Sequence, residues 1–166
     1  MATIMLRDNE IHTVGELPSV GSNAADFELV AKDLSRVSLA DYSGQRLILN
    51  IFPSLDTGTC AASVRHFNEL AGKLPDTKVL CISRDTPFAQ SRFCGAEGLD
   101  NVITLSDFDT AQFGKDYGLQ LIDGPMKGFL SRVVIILNAS GVVEYTQQVP
   151  VLSDEPDYDE VVAALN

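Results

Sequence analysis

The sequence predicts an α/β fold in which helices flank a mixed central sheet and a β-hairpin is added at the N-terminus. Three observations predict it. Residues 47–52 and 78–83 are short apolar runs, as strands buried on both faces require. Between them Ala61, Val64, Phe67, Ala71 and Leu74 recur at helical spacing, with Arg65, Asn68, Glu69 and Lys73 on the opposite face. Strand, crossover helix and strand at this separation join as a βαβ unit with parallel strands. Residues 131–137 and 142–147 then flank Asn138-Ala139-Ser140-Gly141, an antiparallel hairpin that makes the sheet mixed.

The remaining elements follow in chain order. Residues 3–7 and 11–14 flank Asp8-Asn9-Glu10 and read as the N-terminal hairpin with its polar turn. Residues 15–25, which hold Pro18 and Gly21, are a loop; 27–30 and 36–39 are short strands, and 41–44 is turn material. After the first buried strand, Pro53 begins a polar loop containing Gly58, and the helix that follows opens with Cys60 in its first turn. Thr86-Pro87 starts a second helix as an N-cap followed by proline at the first helical position, ending near Gly95 or Gly98. Residues 102–105 form a strand, 109–117 a short helix stopped by Gly118, and 157–165 a closing helix with acids in its first turn. No repeat, low-complexity tract or linker interrupts residues 1–166, so one domain is expected. Two βαβ segments followed by a hairpin and a final helix describe a thioredoxin-like arrangement.

Composition narrows the function. At 166 residues the chain is long enough to bury a core without disulfides or metal. Its 45% apolar and 21% charged residues are ordinary globular usage. A net charge of -11 argues against nucleic acid or an anionic membrane as partner. No apolar run approaches the ~20 residues that span a bilayer, and no secretory signal is visible at the start. Three cysteines are too few and odd in number for a secreted disulfide scaffold, so a reducing cytoplasm is expected.

Cys60 carries the chemistry. A thiol in the first turn of a helix feels the positive end of the helix dipole and unpaired backbone N–H groups, both of which favour thiolate. Thiolate is the reactive form, so the position points to redox or covalent chemistry. No Cys-x-x-Cys pair exists, and His12 and His66 keep no metal-like spacing with the cysteines, so neither zinc nor any other cofactor is expected. Where a dithiol oxidoreductase would hold its first cysteine this chain has Thr57, which leaves a single activated thiol. Peroxide reduction needs a thiolate, donors to polarise the O–O bond, and a pocket that excludes water. Thr57 could offer its hydroxyl to the sulfur and the peroxide, and Pro53 could wall the pocket. A fixed cation is missing from this stretch.

Pro53-Ser54-Leu55-Asp56-Thr57-Gly58-Thr59-Cys60 resembles the Pro-x-x-x-Thr-x-x-Cys signature of peroxiredoxins. Ala61-Ala62-Ser63-Val64-Arg65 and Pro87-Phe88-Ala89-Gln90-Ser91-Arg92-Phe93-Cys94 narrow the resemblance to the bacterial thiol peroxidases, atypical two-cysteine members of that family. The likeness runs through nearly the whole chain, including Glu155-Pro156-Asp157-Tyr158. It implies that Cys60 is the peroxidatic cysteine with Pro53 and Thr57 as motif partners, that Arg132 is the active-site arginine, and that Cys94 is the resolving cysteine. It further implies hydroperoxide substrates, an intrachain Cys60–Cys94 disulfide, thioredoxin as reductant and a homodimer.

Two cysteines on separate helices can bridge only within a Cα separation of about 7 Å. The reduced fold is therefore expected to hold them farther apart, with local unwinding joining them. The Gly-Gly-Leu-Gly insertion and C-terminal Tyr-Phe helix of peroxiredoxins prone to overoxidation are absent.

Other residues have plainer readings. Cys81, mid-strand between Leu80 and Ile82, reads as a small buried hydrophobe. Taken alone, Arg132 reads equally as a surface strand residue and Thr57 as a simple N-cap. His66 lies nearly two turns beyond Cys60 and is expected to be exposed. The acids of 154–160 read as a solvated helix start. Phe88, Phe93, Leu121, Ile122, Met126 and Phe129 are candidates for an apolar collar, with ordinary core or dimer packing favoured. A redox-sensing binding protein switched by the same disulfide is the alternative function; turnover separates the two. A thioredoxin-like scaffold with no redox role is a third reading, in which alkylating the thiols changes nothing.

Overall fold

The computed structural model describes residues 1–166. A seven-stranded sheet carries the chain, formed by β3 (Glu28–Ala31), β4 (Arg36–Ser38), β5 (Arg46–Ile51), β6 (Thr77–Ser83), β7 (Ile103–Ser106), β8 (Val133–Leu137) and β9 (Val143–Gln148). Its order is β4-β3-β7-β6-β5-β8-β9. The central β5, β6 and β7 run parallel, whereas β3, β4, β8 and β9 pair antiparallel. Helices α1 (Gly58–Ala71) and α2 (Pro87–Glu97) are the crossovers of the parallel part. Two further helices, α3 (Gln112–Asp116) and α4 (Tyr158–Leu165), follow later in the chain. No helix is long and apolar enough to cross a membrane.

Strand alternation sorts the core into two clusters. Leu47, Leu49 and Ile51 of β5 join Leu80, Ile82, Phe113 and Tyr117 on one face. Ile48 and Phe52 join Cys60, Val64 and Phe67 of the first crossover, with Val161 of α4, on the other. Asn50, the one fully buried polar residue of β5, lies under α1, where its amide nitrogen is 3.4 Å from Ser63 Oγ. Asn138 closes the β8–β9 hairpin: its Oδ1 accepts from the N–H groups of Ser140 and Val142, and Gly141 takes φ 78°.

Several element ends differ from the sequence reading: α1 stops at Ala71, short of Lys73 and Leu74, residues Leu39–Tyr42 form a 3-10 helical turn, and β8 begins at Val133. Two further differences have a clear physical cause. The N-terminal hairpin is β1 (Thr3–Leu6) and β2 (Asn9–His12), so its turn is Arg7-Asp8, one residue earlier than the polar run implies. Core burial decides the register: pairing Ile4 with Ile11 puts both against Leu121 and Leu152, and Arg7 accepts φ 56° to allow it. The helix expected over 109–117 is only α3, because Ala111 turns left-handed at φ 58° immediately before it.

Candidate active site

The site is built where β5 and β6 end, the position at which parallel strands present ligand-binding loops. Beyond β5, Pro53 is buried and the chain turns through residues 54–57. Thr57 caps α1, its Oγ1 accepting from the Cys60 N–H at 3.3 Å while its hydroxyl donates to Ser54 O at 3.1 Å. Its hydroxyl proton is therefore engaged by the backbone, and its tie to Cys60 runs through the amide and not the sulfur. The cap fixes Cys60 in the first turn and leaves the Gly58 and Thr59 N–H groups without a partner in the chain.

The cation missing from the cysteine loop comes from 72 positions along the chain. Arg132, just before β8, is buried with 2% exposure, which excludes the surface reading. Its Nη2 lies 3.3 Å from Cys60 Sγ and its Nε donates to Leu152 O at 2.9 Å. Nη1 is buried with no partner, although a guanidinium nitrogen can only donate. Charge and unused donors thus meet beside the sulfur.

The N-terminal hairpin helps to hold this arginine. Met5 of β1 donates its N–H to Pro150 O and accepts from Leu152 N–H, both at 2.8 Å. The segment so pinned supplies the carbonyl that Arg132 grips. Thr59 Oγ1 donates to Ser153 O at 2.9 Å and ties the same segment to the start of α1.

A hollow of about 210 Å³ opens over these groups, lined by Pro53, Thr57, Thr59 and Arg132 with Leu6, Met126, Leu152 and Ser153. Cys60 is fully covered beside it, and Arg132 touches both the sulfur and the hollow. Of the collar candidates only Met126 lines it. Leu121 is buried under the hairpin, Phe93 lies beneath Arg65, and Phe88 and Phe129 are exposed. Leu6 and Leu152 carry no local sequence signal, since they reach the site through the pairing of the hairpin with residues 150–152, and Ser153 is held there by Thr59.

Cys94 sits elsewhere. It is buried on α2, its thiol pushed above the ordinary range by burial against the opposing pull of Lys32 and a hydrogen bond with Thr104. It lines a separate hollow of about 310 Å³, none of whose residues lines the first. Thr104 belongs to β7, and Arg132 leads into β8. The sheet order puts three strand spacings between those strands, about 14 Å. All three cysteines are free. Cys81 is buried mid-strand, its thiol pushed up to about 12 by burial, and it packs as a hydrophobe.

His66 is exposed and stacks on Tyr158 at 3.6 Å between ring centres. In the acidic stretch Asp157 caps α4 by accepting from the Glu160 N–H, and Tyr158 donates to Glu155.

Comparison with known proteins places relatives around this geometry. The Redoxin family model matches residues 19–162. A thiol peroxidase of Corynebacterium glutamicum is 54% identical over 166 residues, covering all of both chains. A thiol peroxidase of Mycobacterium tuberculosis is 52% identical over 165 residues, covering 99% of each. Among solved structures, a peroxiredoxin-like protein from Aquifex aeolicus superposes with TM-score 0.92 at 36% identity, covering 98% of this chain and 95% of its own.

Proposed function

The chain belongs to the Redoxin family and is a peroxidase of the peroxiredoxin kind, and from that premise we propose that Cys60 reduces hydrogen peroxide and alkyl hydroperoxides with Arg132, Thr57 and Pro53 around it and Cys94 resolving the product. The observation that carries this reading is Arg132: one guanidinium nitrogen sits on the Cys60 sulfur and another is buried without a partner. A donor held dry beside the nucleophile is what a peroxide oxygen needs as charge develops on it.

In the first step the Cys60 sulfur attacks one peroxide oxygen. The S–O bond forms, the O–O bond breaks, and the leaving alkoxide or hydroxide takes a proton to depart as alcohol or water. Sulfur loses two electrons to the peroxide and becomes a sulfenic acid. In the second step the Cys94 sulfur attacks that sulfenic sulfur, the S–S bond forms, the S–O bond breaks, and hydroxide takes a proton to leave as water. Thioredoxin's dithiol then returns two electrons, regenerating both thiols as its own disulfide forms. The three-strand separation supports a requirement for local unwinding before the bridge closes. α2 suits that movement, because only Pro87, Gln90 and Cys94 of its eleven residues are buried.

The pocket supports a small substrate: three apolar residues, Leu6, Met126 and Leu152, face an alkyl group while the arginine faces the peroxide. A reducing compartment such as the cytoplasm is proposed on the sparse, odd count of three cysteines. A homodimer is proposed through the exposed Phe88, Phe108 and Phe129. Arg84 clamps the segments carrying the last two, pairing with Asp107 and donating to Gly128 O.

Turnover coupled to thioredoxin tests the proposal. Cys60→Ser should abolish peroxide consumption, whereas Cys94→Ser should consume one equivalent and lose thioredoxin-linked cycling. Retained catalysis in the first variant would falsify the assignment. A parent chain that consumes a single equivalent and stops would point to a sensor.

A further inference from the structure

A polar chain, half-buried at Ser54 and Asp85 and fully buried at Ser83 and Gln90, runs from the loop before Cys60 to the helix of Cys94, and one carboxylate stands at its centre. Asp85, two residues beyond β6, accepts from three donors. Ser54 Oγ reaches Oδ1 at 2.7 Å, while Leu55 N–H and Ser83 Oγ reach Oδ2 at 2.8 and 2.7 Å. Ser54 and Leu55 belong to the turn that Thr57 continues into α1, and Ser54 O is the acceptor of the Thr57 hydroxyl. The carboxylate therefore holds the loop whose shape sets the cap, and the cap sets Cys60.

The other arm leads to α2. Ser83 and Gln90 are both fully buried, and Gln90 Nε2 donates to Ser83 Oγ at 3.1 Å and to Leu105 O at 2.8 Å. Directions along this arm are fixed by chemistry. A carboxylate accepts only, so the Ser83 hydroxyl donates to Asp85 and is left to accept from Gln90. Leu105 O also demands a donor. Both of Gln90's contacts thus require its NH₂, and turning the amide over would break them. The consequence is visible as Gln90 Oε1, buried with no partner. The amide that docks α2 is held in this sense by the central carboxylate, at the expense of an unsatisfied acceptor.

We propose that Asp85 is the positioning residue of the redox pair, registering the Cys60 loop through Ser54 and Leu55 while it latches the Cys94 helix through Ser83 and Gln90. The inference rests on the assignment of Cys60 and Cys94 above. Asp85 touches neither sulfur nor substrate. Its removal leaves three donors unpaired, releasing the Thr57 cap and the hold on α2 together. Asparagine can replace much of it, since its oxygen can serve Leu55 and Ser83 while its NH₂ faces the Ser54 hydroxyl, which can turn to accept.

Rapid mixing with hydrogen peroxide separates the two arms. In a Cys94→Ser background, the rate constant for Cys60 sulfenic acid formation should fall about tenfold or more in Asp85→Ala and recover to within about threefold of the parent in Asp85→Asn. With Cys94 present, Gln90→Ala, which cuts only the arm to α2, should speed disulfide closure about threefold or more. A role confined to stability lowers the melting temperature of each variant and leaves both constants in place, and that result overturns the proposal. Should Asp85→Ala fail to fold, Ser54→Ala decides: a sulfenic acid rate equal to the parent's overturns the proposal, and a loss of about threefold or more supports it. Absence of sulfenic acid on Cys60 in the Asp85-containing protein refutes instead the reading on which the proposal rests.

Discussion

Replacing Arg132 by methionine removes one charge and several donors from beside Cys60 while keeping an unbranched side chain in a buried position. Nη2 is 3.3 Å from the sulfur, and Nη1 is buried without a partner. At an effective dielectric near 20, unit charges about 4 Å apart attract by about 4 kcal/mol. Only the part of that attraction which grows as the O–O bond breaks accelerates the reaction. Losing one donor aimed at developing charge costs about 2.7–4 kcal/mol, or about 10²–10³ in rate. Arg132→Met should therefore lower kcat/KM for hydrogen peroxide by about 10²–10³. Arg132→Lys keeps the charge, but one ammonium cannot grip Leu152 O and point two further nitrogens at sulfur and substrate, so a loss of about 10–10² is expected. Steady-state peroxide consumption measures both, with circular dichroism to establish that each variant is folded. A folded Arg132→Met chain within about threefold of the parent, less than about 1 kcal/mol of transition-state stabilisation, would refute the electrostatic argument.

Further expectations concern the inert cysteine and a left-handed glycine. Cys81, pushed up to about 12 against an ordinary 9.0, keeps its proton in the folded chain at a pH where the unfolded chain releases it. Stability from this group is thus fully present below about pH 9 and is lost as pH rises towards 12, by at most about 1.4 kcal/mol per pH unit. Chemical denaturation at pH 8 to 11 should show a shallower loss in Cys81→Ala, and an unchanged slope would contradict the assignment. At pH 8 native Cys81 should also resist alkylation that it undergoes in denaturant. Gly118 has φ 67°, and a Cβ there would lie 2.2 Å from Glu16 O. Gly118→Ala should cost about 2 kcal/mol or more, lowering Tm by roughly 4–8 °C in a thermal melt; an unshifted melt would contradict that geometry.

What the sequence disclosed and what it withheld divide along physical lines. Strands β5 and β6 were legible because both faces are buried and each residue reports that environment separately, as Ile48 and Leu49 do on opposite sides. The α2 start was legible because Thr86 and Pro87 act locally, whereas its end was left between Gly95 and Gly98, and the structure places it at Gly98, which takes φ 66°. Cys60 and Thr57 announced themselves through a cap that spans three residues. Arg132 had no such local mark: only the family resemblance singled it out, since its role depends on a contact across 72 positions. Leu6 and Leu152 were hidden for the same reason, being brought to the site by the pairing of Met5 with residues 150–152. Asp85 offered only its place beyond a parallel strand, and its meaning lies in three hydrogen bonds that no spacing encodes. The turn of the first hairpin was misplaced because the polar run at 8–10 was a weaker signal than the burial of Ile4 against Ile11.

The central claim is that a single sulfur, at position 60, takes the oxygen from the peroxide. Treating the Cys94→Ser chain with one equivalent of hydrogen peroxide, adding a reagent that captures sulfenic acids, and digesting the product for mass spectrometry reads this directly. The adduct is predicted on Cys60 alone, near one per chain, with Cys81 unmodified. An adduct on Cys81, or peroxide consumed with none on Cys60, would contradict it.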